Sequence, residues 1–215
     1  MAGRTAAEQS ALDRQLIAAI GNYSLEGLQE ALSLGANPNT LSGDKNASPV
    51  SRLIGGTWRE RKDCIEALLA AGADINIADS DGNTPLHRIA GSTIGGDDTI
   101  TKILLAANPR LDIRNNAGQT PLHVAARGWL SSNSPLILLQ MLEAGADFNA
   151  KDAKGKTALD IATDGRKTSD EKARVTEMFN KYAGAQEKQR QAKSATAHEK
   201  LRDDRKKRPG LNLRK

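Results

Sequence analysis

Few side chains in this sequence are equipped for chemistry, and their spacing argues against most of it. Of three histidines, His87 and His123 each close a Thr-Pro-Leu-His block, and the one cysteine, Cys64, sits beside Ile65 and Leu68. A zinc site needs a set of three or four ligands. At the positions that correspond to the two imidazoles the chain offers only Ser51 and Asp160, so no third imidazole completes a set. A cysteine nucleophile needs a base and an orienting carboxylate. Cys64 has neither nearby and reads as a small hydrophobe on an apolar helix face. Ile94-Gly-Gly-Asp-Asp98 lacks the lysine and the strand-to-helix setting of a phosphate loop. The Asp97-Asp98 pair reads as the acidic start of a helix, which the helix dipole favours. No catalytic, cofactor-binding or metal-binding residues are therefore expected, and no enzyme activity.

The elements around these residues are small and aliphatic. The chain has 215 residues, 38% hydrophobic and only 3% aromatic, so leucine, isoleucine, valine and alanine must fill any core. No apolar run approaches the roughly 18 residues of a membrane-spanning helix, and the opening MAGRTAAEQS lacks a secretory signal's apolar stretch. With one cysteine there is no internal disulfide, which fits a reducing compartment. The expected location is cytoplasmic and the expected state monomeric.

The formal net charge of +5 invites a nucleic-acid reading until it is divided along the chain. Residues 184–215 hold eleven Lys/Arg against four Asp/Glu, leaving twenty basic and twenty-two acidic residues before them. The basicity belongs to this tail, which has almost no apolar residue larger than alanine before Leu201 and should stay flexible. Its Arg205, Lys206, Lys207 and Arg208 run is the candidate for targeting or for contact with nucleic acid or acidic lipid.

The rest of the chain is repetitive. Asp81-Gly-Asn-Thr-Pro-Leu-His87, Ala117-Gly-Gln-Thr-Pro-Leu-His123 and Lys154-Gly-Lys-Thr-Ala-Leu-Asp160 recur at steps of 36 and 37, with a weaker copy at Ala47-Ser-Pro-Val-Ser51. Between them stand Leu34-Gly-Ala-Asn-Pro-Asn39, Ala71-Gly-Ala-Asp-Ile-Asn76, Ala107-Asn-Pro-Arg-Leu-Asp112 and Ala144-Gly-Ala-Asp-Phe-Asn149. Thr84 and Thr120 are placed as helix N-caps with Pro85 and Pro121 at the first helical position. Gly72 and Gly145 are placed as left-handed C-caps of second helices, with Asn108 as the tolerable substitute. The stripe of Val175, Met178, Phe179 and Tyr182 predicts a closing helix with one apolar face.

These blocks resemble the ankyrin repeat. The resemblance implies an all-α solenoid of stacked helix-turn-helix units with β-hairpin-like loops, over residues 12–183, in units of about 12–44, 45–79, 80–115, 116–152 and 153–183. An N-terminal extension over 1–11 and the tail over 184–215 flank it. The steps exceed the usual repeat of about 33 residues. Alignment places the surplus in the turns between first and second helices, at 55–62, 91–98 and 128–135, which carry Trp58, Arg59 and Trp129. Each tryptophan either covers helix ends or anchors a partner.

The resemblance implies a structural role for His87 and His123, tying the turn to its threonine and to the next repeat. It also implies a protein partner held along hairpin tips and first helices. On this sequence those positions are Ser80, Asp81, Asn83 and Arg88, then Asn116, Gln119 and Arg127, then Lys154 and Lys156. The expected function is a protein-protein interaction module. One alternative is a nucleic-acid-associated regulator acting through the tail, with a nuclear location. Another is a bacterial effector secreted into a host cell to engage a host protein.

Overall fold

Prolines at the heads of first helices and glycine or asparagine at the ends of second helices cut the chain into helix pairs. The computed structural model stacks those pairs side by side. It describes residues 5–54, 60–92, 98–132, 135–164, 166, 168–182 and 184. In chain order the helices are α1 (Ala6–Gly21), α2 (Leu25–Ser33), α3 (Pro49–Ile54), α4 (Arg61–Ala70) and α5 (Pro85–Ala90). They continue as α6 (Asp98–Ala106), α7 (Pro121–Ser132), α8 (Leu136–Glu143) and α9 (Ala158–Asp164). A further helix, α10, covers 169–182.

Two rows result. In one, α1, α3, α5, α7 and α9 each pack on the next; in the other, α2, α4, α6 and α8 do the same, and α1 packs on α2, α3 on α4, α5 on α6 and α7 on α8. This is the all-α solenoid that the repeats imply. Among the described residues the pairing of extended backbone is limited to one isolated antiparallel bridge, Ser42 to Ala47, so the hairpin-like loops contain no strand.

The core follows from composition. One contiguous cluster runs the length of the stack, with Leu16 and Leu28 at one end and Val175 and Phe179 at the other. Phe179 is the one aromatic among the largest fully buried side chains, and the remainder are Leu, Ile and Met. A single helix pair cannot bury its own apolar face, which is why neighbours must stack. On α10, Val175 and Phe179 are buried while Met178 and Tyr182 pack on the cluster edge, and the Tyr182 hydroxyl donates to Glu143 at 3.3 Å.

Local signals place the helix ends. Thr84 and His87 form a reciprocal cap at the start of α5, with Pro85 at its first position. The second helices α4 and α8 end at Gly72 (φ +88°) and Gly145 (φ +95°), and α6 ends at Asn108 (φ +52°), in the left-handed region that glycine and asparagine tolerate.

Two features differ from the sequence expectation. Residues 128–132 do not belong to a lengthened turn: α7 continues to Ser132, so Trp129 stands on a helix. Gly128 is there for packing, since a Cβ on it would overlap the carbonyl oxygen of Ala90 at the end of α5. With Ala125 and Ala126 it lets α7 approach α5 closely, and the helix has no breaker until the approach to Pro135. At the other end, α1 starts at Ala6, capped by Thr5 and Glu8, inside the segment set apart as an extension. Residues 55–59 and 93–97, which hold most of the other two elongated turns, lie outside the described residues. No helix of the described residues is long and apolar enough to cross a membrane.

Candidate functional site

The hairpin tips are built by one side chain each. Asp79 Oδ1 accepts the backbone N–H groups of Asp81 and Asn83, both at 2.9 Å. Asn115 Oδ1 accepts those of Ala117 (3.1 Å) and Gln119 (3.0 Å), and Asp152 Oδ1 those of Lys154 (2.8 Å) and Lys156 (3.0 Å). The tips then stack: Asn116 N–H donates to the Asp81 carbonyl at 3.0 Å, and Ala153 N–H to the Ala117 carbonyl at 3.4 Å. Gly82 (φ +78°) and Gly118 (φ +71°) are required twice over, because a Cβ would also stand 2.8 Å from backbone atoms of the next tip.

Below each tip a histidine locks the turn to its neighbour. His87 Nδ1 lies 3.2 Å from Thr84 N, which can only donate, and Nε2 lies 2.9 Å from the Gln119 carbonyl, which can only accept. The imidazole is therefore neutral with its proton on Nε2. His123 repeats this between Thr120 and the Lys156 carbonyl at 3.1 Å. Burial holds both imidazoles below the ordinary histidine range. Asp160 keeps the local half of the arrangement, accepting from Thr157 N and Oγ1 at 2.8 Å each, which holds its carboxyl low. Ser51 keeps neither half: its hydroxyl is buried without a hydrogen-bond partner.

Cys64 is fully buried in α4, and burial, aided by Glu60 and Asp63, pushes its thiol up to about 12, which suppresses the thiolate that a nucleophile needs. Among the described residues no group of three or more His, Cys, Asp or Glu is placed to hold a metal ion. Asp98 begins α6 and pairs with Lys102 at 2.7 Å, whose hydrogen bond holds its carboxyl low; it also accepts from the Gln140 amide of α8. Asp97 lies outside the described residues.

The tips and first helices enclose two clefts. One, of about 400 Å³, lies against α5 and is lined by Lys45, Asp81, Asn83, Arg88, Val124 and Arg127. The next, of about 690 Å³, is lined by Arg127, Asp152, Lys154, Lys156, Ile161 and Asp164. Gln119 and Arg127 border both, so the clefts lie side by side along the stack.

The structure brings together Asp81, Asn83, Arg88, Arg127, Lys154 and Lys156 on this surface, and Ser80 and Asn116 meet at the tips, where the Asn116 amide donates to the Ser80 carbonyl at 2.9 Å. Gln119 departs from the expectation of a partner contact. It is only 4% exposed, and its amide is committed to Asp152 of the next tip. Trp129 is half-buried against the core with the Arg166 guanidinium 4.4 Å from its ring centroid. Trp58, Arg59, Arg205, Lys206, Lys207 and Arg208 lie outside the described residues.

Sequence reasoning missed the residues that hold this surface in shape. The Asp79 side chain is wholly buried and receives Arg88 at 2.6 Å; Lys45 pairs with Asp81 at 2.5 Å across two tips; Arg114 donates to the carbonyls of Gly118 and Lys151. A signal for Asp79 was present: Asp79, Asn115 and Asp152 each stand five residues before the threonine of a block.

Residues 53–152 match the family model for ankyrin repeats (3 copies), so this stretch of the chain is similar to a run of ankyrin repeats. Ankyrin repeats are in general protein-protein interaction modules and typically non-enzymatic scaffolds. No match to this chain is found among curated proteins.

Proposed function

We propose that this protein binds another protein along the surface formed by its hairpin tips and first helices, in an array of five units over 12–183, with the tail a separate contact. The observation that carries this reading is the adjacency of the two clefts, which share Arg127 on their borders and set their lining side chains in a row from Lys45 to Asp164. The side chains in it divide into two kinds. Asp79, Asn115, Gln119 and Asp152 spend their hydrogen bonds on the scaffold, while Asn83, Arg88, Arg127, Lys154 and Lys156 face the groove. A fixed scaffold that presents variable side chains lowers the ordering cost of association. The lack of a usable nucleophile at Cys64 and the saturation of both imidazoles favour binding over turnover.

The test is affinity capture with the full chain beside a variant carrying Asn83→Ala, Arg127→Ala and Lys154→Ala, both checked for equal thermal midpoints. Loss of the captured protein with the variant supports the reading. A partner retained by the variant but lost when Arg205, Lys206, Lys207 and Arg208 are changed to alanine moves the binding to the tail.

A further inference from the structure

We infer that the groove around α7 takes an acidic segment of a protein partner, in which a carboxylate stands next to an aliphatic or aromatic side chain. This rests on the groove being the binding surface and adds the chemistry of what binds there. The argument is one of charge left over. In the first cleft, Lys45 is paired with Asp81 and Arg88 with Asp79. In the second, Lys156 is paired with Asp164, and the Asp152 carboxylate, held by two backbone N–H groups and the Gln119 amide, keeps its negative charge, so the cations of this cleft, Arg127, Lys154 and Lys156, exceed its carboxylates by one. Arg127 and Lys154 are exposed, line the groove, and make no side-chain hydrogen bond or ion pair with any described residue. The groove is thus left with a net positive centre where its two clefts adjoin, although the repeats before the tail are acidic overall.

An apolar floor lies beside that centre. The residue four places after Ser48, Thr84, Thr120 and Thr157 is Arg52, then Arg88, then Val124, then Ile161. The row changes from guanidinium to aliphatic at α7, and Val124 and Ile161 remain only partly buried where they line the two clefts. Arg127 lies three residues beyond Val124 on α7, which puts its fork about one helical turn along the same face. A guanidinium presents two parallel N–H donors that a carboxylate accepts together, and it loses less hydration than an ammonium when covered. A partner side chain of Asp or Glu seated on Arg127, with an apolar neighbour on Val124 or Ile161, satisfies both features at once. Lys154 at the tip then favours further acidic residues toward the solvent edge.

The test is panning a phage-displayed random peptide library against the full-length chain, then measuring synthetic copies of the enriched peptides by fluorescence anisotropy. The expected peptides place Asp or Glu beside Leu, Ile, Val or Phe. Their binding weakens by about tenfold or more with Arg127→Glu, since each tenfold step is ~1.4 kcal/mol, and it recovers in part with Arg127→Lys. Peptides that weaken with Ile161→Ala but ignore Arg127→Glu would overturn the acidic inference and leave the groove as the binding surface. Acidic peptides that ignore every groove variant and are lost when the 205–208 cations become alanine would overturn both. An absence of enriched peptides also counts against the inference.

Discussion

The Nε2 of His87 lies 2.9 Å from the carbonyl oxygen of Gln119, and through that bond the turn of one repeat is tied to the turn of the next. The full arrangement exists only for a neutral ring: Nε2–H can donate to Gln119 in either state, but Nδ1 must remain bare to accept from Thr84 N. His123 repeats the arrangement toward Lys156.

Stability is therefore expected to depend on pH in a defined direction. Both folded-state values lie below the ordinary 6.5 because burial disfavours the charged ring. The unfolded chain binds the protons first, so the contribution is complete above the ordinary histidine range and is lost as pH falls from there through the lowered folded values. Urea unfolding at neutral pH and at about pH 5 should show a drop for the wild type and a much flatter profile for His87→Gln with His123→Gln. Equal drops in both proteins would assign the effect to other groups.

Gly128 tests the packing of α7 on α5. Gly128→Ala should cost about 1–3 kcal/mol, because the methyl meets backbone that cannot rotate away. Gly21→Ala, at the end of α1 with open space around it, is the control and should be neutral or slightly stabilising. A neutral Gly128→Ala in thermal unfolding would show that the helices separate easily.

Ser51 occupies the place of an interlocking histidine without its bonds, since its hydroxyl is buried and unpartnered. Ser51→His should let an imidazole reach the Asn83 carbonyl, 32 residues on, as His87 reaches Gln119 over the same interval. The expected gain is about 1 kcal/mol, the net worth of a hydrogen bond, read as a higher urea midpoint. A lower midpoint would mean that the space at Ser51 cannot hold the ring.

Asp79 carries two backbone N–H groups and Arg88 on a buried carboxylate. Asp79→Ala is expected to destabilise the fold by roughly 2–3 kcal/mol, since the partly exposed Arg88 recovers some hydration while the N–H groups do not. Asp79→Asn keeps the Oδ1 acceptor and should cost less. Chemical denaturation of the pair ranks them, and equal losses would assign the effect to charge alone.

The sequence by itself determined the repeat, its fold and the ends of many helices. Those features depend on neighbours in the chain: proline preset for a first helical turn, threonine caps, and Gly72, Gly145 and Asn108 in left-handed ends. The structural role of His87 and His123 was legible too, because the block that positions each imidazole is contiguous.

Only the tertiary structure decided which side chains are left over for a partner. Gln119 reads as an exposed hairpin residue until Asp152, 33 residues later, takes its amide. Gly128 and Trp129 read as a turn until the Ala90 carbonyl shows that the glycine makes room for a helix. Arg88 and Arg127 look alike in sequence, and they part because Asp79 claims one while no described residue claims the other. Backbone preference is settled over a few adjacent residues, whereas burial and charge pairing are settled across the stack, by groups that become neighbours only once the repeats have packed.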